Sequence, residues 1–351
     1  MSWHAVDAVD DAVEATRRFL FPFSLVRWTV LALLVLLMGS TVNTNASFSF
    51  IPDAEFTLFP DGVIPEAVVA ELDTALVVAI VAVVTAIGVV IAVATLTLRL
   101  VFYDALRTNE VRVWGPFRAR FRQALGLFVF STVAGIVTVL PLLLAILGVT
   151  TVGWGPLDAV SEAVAGLSGW GLAGAVLFGG LLTLGALLVV RFTYEFVVPV
   201  MVHRDLGVLA AWSRFWSTLR ESWTEFLLYL VVHFFLGVGV SVAETVVFLF
   251  AGGAVLVLGG VTILIAAGIL GGLSAVTGTT VGMVTLVLVV SAGVIALLLV
   301  FLPVRLVTRT YLIAYEVTTL GGVDPELAML DPTIDPDAAG PTEGDDTSTK
   351  R

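Results

Sequence analysis

The sequence predicts an all-α integral membrane protein with six transmembrane helices, and three observations predict it. Hydrophobic residues make up 59% and charged residues 13% of 351 positions, at a mean hydropathy of +1.07, far from the range of water-soluble domains. Charge-free runs cover residues 28–52, 74–98, 123–157, 163–190, 226–243 and 245–304. Several exceed the roughly 20 apolar residues a helix needs to cross the hydrocarbon core. They are apolar on every face, whereas barrel strands would alternate polar and apolar residues in segments of about ten. Finally, arginines fill every second connector between the runs.

Taken in order, residues 1–25 read as an amphipathic cytoplasmic helix. Asp7, Asp10, Asp11 and Glu14 stand where a secretory signal would carry bases, so this segment is expected to be mature sequence. The membrane domain is expected over 26–320, with spans near 26–42, 74–98, 125–148, 171–198, 226–249 and 277–303. Residues 43–73 and 149–168 contain no Lys or Arg. Arg17, Arg18 and Arg27 precede the first span, six arginines lie between Arg99 and Arg122, and Arg191, Arg204, Arg214 and Arg220 follow the fourth. The positive-inside bias therefore puts both termini in the cytoplasm of a plasma-membrane protein.

Residues 251–275 are ambiguous, being apolar but carrying Gly252, Gly253, Gly259, Gly260, Gly268, Gly271 and Gly272. A full crossing there would make seven spans and leave Arg305, Arg309 and the acidic end outside. Six spans with a re-entrant or upper-leaflet Gly-rich piece is the preferred reading, with seven as the alternative. After Glu316 the chain turns rich in Asp, Glu, Pro and Thr; residues 321–351 are expected to form a disordered acidic cytoplasmic tail, unable to bury enough apolar surface to offset ordering entropy.

A loose period of about one hundred residues runs through the spans. Each unit opens on an aromatic, Arg-rich stretch (15–21, 116–125 and 211–220), crosses twice, and ends on Tyr103-Asp104, Tyr194-Glu195 or Tyr315-Glu316. Units with an even number of crossings insert in one direction, which predicts three parallel two-helix units with cytoplasmic amphipathic helices.

The candidate functional residues lie near the ends of the spans. Trp212, Phe215, Trp216, Leu219, Trp223 and Phe226 share one narrow helix face, away from Arg214. A basic aromatic helix beside a span usually lies in the headgroup layer. It either recognises anionic lipid or gates, or it anchors tilt and depth; Arg118, Arg120, Arg122, Arg214, Arg220, Trp212 and Trp216 are the lipid-interface candidates. Arg191 and Glu195 are spaced i,i+4, and Asp104 and Arg107 i,i+3, as intrahelical pairs. Glu244 falls eleven residues after His233, about three turns, on a similar face. With a span starting at 226, Glu244 is expected about 27 Å along, at the outer interface, so the two are either a proton relay or an interfacial carboxylate and a hydrogen-bonded histidine.

Gly166-Leu167-Ser168-Gly169 resembles the Gly-x-Ser-Gly of rhomboid intramembrane proteases, with His233 as a conceivable base. The remaining pattern fails, since no His-x-x-x-Asn occurs upstream. With no cysteine and one lysine, Lys350, thiolate metal sites, disulfides and a Walker loop are excluded, and no zincin or dinucleotide fingerprint occurs. No catalytic residue, metal or cofactor is assigned, and nucleic acid is not an expected partner.

The 28 acids against 17 bases, with Arg replacing Lys, look like a salt-adapted archaeal proteome. The segment Val-Val-Pro-Val-Met-Val-His-Arg-Asp-Leu-Gly at 197–207 and the opening Trp-His-Ala-Val-Asp-Ala-Val-Asp-Asp-Ala at 3–12 resemble uncharacterised haloarchaeal multi-pass proteins. More distantly, the layout is similar to the membrane domain associated with glycerophosphodiester phosphodiesterases. The resemblance implies an integral membrane module without assigned activity. The expectation is a non-enzymatic scaffold or accessory module contacting lipid headgroups or an unidentified protein partner; a small-molecule or lipid transporter is the alternative, and an intramembrane serine protease a remote one.

Overall fold

The computed structural model describes residues 4–38, 74–149, 158–159, 162–163, 166–167 and 169–330. Among them there is helix and no strand. In chain order these are α1 (His4–Leu20), α2 (Leu25–Leu37), α3 (Thr74–Thr108), α4 (Trp114–Val149) and α5 (Gly169–Phe192). A π turn (Thr193–Val197) leads into α6 (Val198–Arg204), α7 (Val208–Glu221), α8 (Trp223–Leu270), α9 (Leu273–Gly278) and α10 (Thr280–Val323), with a 3-10 turn at Pro325–Leu327. Five segments, Ala75–Thr108, Trp114–Pro141, Gly169–Arg204, Trp223–Leu270 and Thr280–Val323, are long and apolar enough to cross a membrane. By length and composition this is a multi-pass helical membrane protein. The shorter α2 holds 13 apolar-rich residues, and the rest of the first expected span, with the loop at 43–73, lies outside the described residues.

The buried core is confined to one end. Leu100–Tyr103 of α3, Phe196–Val198 beside the π turn, Met201 of α6, Phe215 of α7, Phe226 and Tyr229 of α8, and Leu306 and Ala314–Tyr315 of α10 are all essentially inaccessible. Toward the opposite end the same helices become apolar arms, whose most hydrophobic windows are 0 to 11% buried. The division follows from the solvent each part suits. Apolar side chains facing lipid tails need no protein neighbour, whereas the Arg-rich ends mix apolar with charged residues and must pack to remove the apolar ones from water. We refer to the two parts as the arms and the base.

Aromatic rings fill the base. Phe196 stacks on Phe215 at 5.4 Å and meets Phe226 at 5.1 Å and Tyr229 at 4.7 Å, the latter two edge-on contacts of the favourable kind. Against this core lies α1, whose Ala5, Ala8 and Ala12 are buried. Their small side chains let α10 approach closely enough for Tyr315 Oη to donate to the Ala5 carbonyl at 3.0 Å and Thr318 to that of Ala8 at 3.3 Å. The N-terminal helix thus ends at Leu20, and its inner face is part of the packed base.

Two expectations are overturned here. The Gly-rich stretch does not break: α8 runs unbroken for 48 residues, about 72 Å at 1.5 Å per residue. The reversal comes at Gly271 (φ +93°) and Gly272 (φ +135°), backbone that L side chains avoid. Two glycines lie at the crossing of the hairpin's helices: a Cβ on Gly293 of α10 would lie 3.0 Å from Val255 of α8 and one on Gly259 of α8 3.4 Å from Val289. Small residues at such crossings let backbones approach. Where α8 and α10 run side by side, the Glu244 carboxylate accepts from Thr308, beside Arg305 and Arg309.

The other correction concerns the acidic end. Residues 321–330 are structured, with Leu327 and Met329 buried. Asp324 accepts from Thr218 at 2.7 Å and pairs with Arg214 at 3.0 Å, so paired carboxylates hold this stretch on α7. Only residues 331–351 of the expected tail remain, and they lie outside the described residues.

Candidate functional site

The polar centre of the base is assembled from three helical segments that lie far apart in the sequence. The π turn is the first part. Thr193, Tyr194, Glu195, Phe196 and Val197 of this turn are all buried, as are Val198–Val202 after them, because neighbours surround the chain here on every side; single π turns of this kind recur at functional sites. Thr193 Oγ1 donates to the Val189 carbonyl at 2.6 Å and accepts from Trp212 Nε1 at 3.0 Å, pinning the turn to α7. Glu195 then points inward, 4% exposed, to meet His233 of α8 at 1% and Glu316 of α10 at 6%. Their carboxylate and imidazole atoms lie within 4.8 Å of one another.

Each of the three is held by a neighbour. Arg191 Nε lies 3.0 Å from Glu195 Oε1 and donates to Oε2 at 3.2 Å. Tyr103 Oη of α3 donates to Glu316 Oε2 at 3.1 Å. His233 Nδ1 and the Tyr229 hydroxyl are 2.8 Å apart, and the Tyr229 ring stacks on Tyr315 at 5.5 Å. Arg99 covers the Tyr194 ring at 4.6 Å and lies within electrostatic reach of Glu316. His233 Nε2, by contrast, faces Glu195 Oε1 at 3.7 Å, beyond hydrogen-bond length.

The expected site residues are distributed unevenly about this centre. Arg191, Glu195 and His233 belong to it, with Arg191 and Glu195 joined as the spacing predicts. Glu244 does not: it faces Thr308. Asp104 pairs with Arg120 at 3.0 Å rather than with Arg107, which donates to the Val202 carbonyl. Arg120 also binds Asp205 at 2.7 Å, and Arg214 binds Asp324 and Glu326, each at 3.0 Å, so these two arginines tie the base together. Trp212 is half-buried against Phe130 and Phe215. Arg118, Arg122, Arg220 and Trp216 remain at least partly exposed. Ser168 lies outside the described residues.

Glu316, Tyr103 and Tyr229 are not among the expected site residues. A signal for two of them is present, since the unit endings Tyr103-Asp104, Tyr194-Glu195 and Tyr315-Glu316 supply Tyr103 and Glu316 together with Glu195. Tyr229 has no such signal; it is one aromatic among many.

A family described only as a family of unknown function, DUF7544, matches residues 3–330, and the chain belongs to that family. The match ends where the packed 3-10 turn and Met329 end. No curated protein and no solved structure matches the chain.

Proposed function

We propose that the protein is a non-enzymatic multi-pass membrane module whose arginine-rich base faces the cytoplasm and binds anionic lipid headgroups. One observation supports this above the rest. While Arg120 and Arg214 are held by ion pairs within the chain, Arg118, Arg122, Arg220, Trp114, Trp216 and Trp223 are among the residues that stay accessible. Arg118 lies over the Trp114 ring at 4.8 Å. Tryptophan and arginine together are the composition of the membrane–water interface.

In this reading both termini are cytoplasmic and the protein sits in the plasma membrane. The hairpin crosses at 245–270 and 280–304, charge-free arms of about 39 and 37 Å at 1.5 Å per residue, each sufficient for a hydrocarbon core of about 30 Å. The segment 226–244 then belongs to the base, which moves the fifth crossing from its expected place at 226–249. The likeness to haloarchaeal proteins and to the phosphodiesterase-associated membrane domain enters only as shared layout. A transporter would require polar groups from several arms along a midplane path, and the buried polar groups described above gather in the base instead.

Nanodiscs of anionic and of zwitterionic lipid test the headgroup reading. Replacing Arg118, Arg122 and Arg220 together with Gln should reduce anionic lipid retained by the purified protein several-fold, with the difference shrinking as salt screens surface charge. Unchanged lipid retention would end this reading. The chain has no cysteine, so single cysteines report topology cleanly: Leu256→Cys should be shielded from a water-soluble maleimide, and cysteines at 43–73 should be labelled from outside the cell only.

A further inference from the structure

We propose that Glu195, His233 and Glu316 form a binding site for one transition-metal cation of the zinc, manganese or ferrous class. Two carboxylates and an imidazole from the π turn, α8 and α10 converge with their donor atoms within 4.8 Å, all buried. Bonds of about 2.0–2.2 Å to a shared ion place neighbouring donors roughly 3–4 Å apart. His233 Nε2 and Glu195 Oε1, at 3.7 Å, have that separation and are too distant to bond each other.

The proton arrangement points the same way. Tyr229 Oη and His233 Nδ1 are 2.8 Å apart, so one donates to the other. In the tautomer with His233 Nδ1–H donating to the Tyr229 oxygen, Nε2 is the unprotonated nitrogen. Nε2 then carries a lone pair directed at a carboxylate oxygen, two acceptors face to face, and a cation between them resolves the conflict. Tyr229 on His233, Tyr103 on Glu316 and Arg191 on Glu195 are the outer partners that fix ligand orientation in metal sites.

Charge decides which cation. Arg191 and Arg99 already offset the two carboxylates, and Arg309 acts on Glu316 as well. Calcium or magnesium, held mainly by oxygen ligands and charge, gains little there. A borderline metal gains from the imidazole nitrogen. Three protein ligands leave a coordination position for a hydroxide or small anion, which would reduce the local positive charge. Arg191 Nη2, buried with no hydrogen-bond partner on the guanidinium already bonded to Glu195, is a donor for it.

Full-length protein, stripped with chelator and held in nanodiscs, is titrated with Co²⁺ as a spectroscopic probe and then challenged with Zn²⁺. The expected result is one equivalent of Co²⁺ with visible d–d absorption, displaced by Zn²⁺. His233→Gln and Glu316→Gln should each weaken binding at least about ten-fold, Tyr229→Phe by about 10–100-fold as an outer partner, and Glu244→Gln not at all. Absence of stoichiometric Co²⁺ uptake by the unaltered protein, or uptake unchanged in His233→Gln, overturns the site and leaves a metal-free ion-pair network. Should the ligand variants fail to fold, the unaltered chain still decides: Zn²⁺ must raise its thermal midpoint in a chelator-reversible way, and no shift overturns the proposal.

Discussion

Arms and base are drawn from the same helices, yet they obey different rules. In α10, the residues of the arm's most apolar window are all accessible, while Leu306, Thr310, Ala314, Tyr315 and Glu316 further along are buried. Along α8, Phe226, Tyr229 and His233 are buried, whereas Leu249, Leu256 and Ile269 are exposed. The lesson is that hydrophobicity does not locate the core of this protein. The most apolar segments have least need of protein neighbours, and the segments that mix Arg, Glu and Tyr with Phe do the packing, because only there does burial remove apolar surface from water and pair charges.

Breaking the comparison begins where the contrast is largest. Phe196→Ala removes a ring packed against Phe215, Phe226 and Tyr229 and should cost about 3–5 kcal/mol in chemical or thermal unfolding of the reconstituted protein; a loss under about 1 kcal/mol, the range of ordinary substitutions, would show that the base is not the core. Asp324→Ala takes an acceptor from Arg214 and Thr218 and should cost about 1.5–3 kcal/mol, the range for bonds to charged groups. The same variant should expose the chain after Val323 to limited proteolysis. Within the arms, Gly293→Leu pushes on Val255 and should cost about 1–3 kcal/mol by overpacking, read as increased separation between spin labels on α8 and α10. Smallest is Leu184→Ala, on an exposed face of the α5 arm: less than about 0.5 kcal/mol, as for surface positions without special contacts. Comparable losses at Leu184 and Phe196 would erase the distinction between the two regions.

Parts of the candidate site are legible in the sequence itself. Arg191 and Glu195 are four apart on a helix, so their pairing is local and needs no tertiary information. The unit endings name Tyr103, Glu195 and Glu316 without showing that they meet. Their convergence depends on a π turn, which leaves no sequence signature in Thr-Tyr-Glu-Phe-Val, and on α8 continuing through five of the seven glycines expected to break it. Those glycines do not interrupt α8, because a lipid-facing helix has no water to bond its freed backbone and keeps its own hydrogen bonds. Composition also ends the packed domain about ten residues early, for a related reason: Asp324 and Glu326 count as disorder-promoting in composition and become order-promoting once Arg214 faces them.

The sequence by itself determined a helical membrane protein, with its apolar segments and the uneven distribution of arginine, since these depend only on length, hydropathy and local spacing. Tertiary structure alone decided that the arms stay loosely packed while the base closes, that the long hairpin turns at Gly271, and that Glu195, His233 and Glu316 share one buried point. Such a meeting is fixed by the register of helices against one another, and register is set by side chains distant along the chain and adjacent only in space.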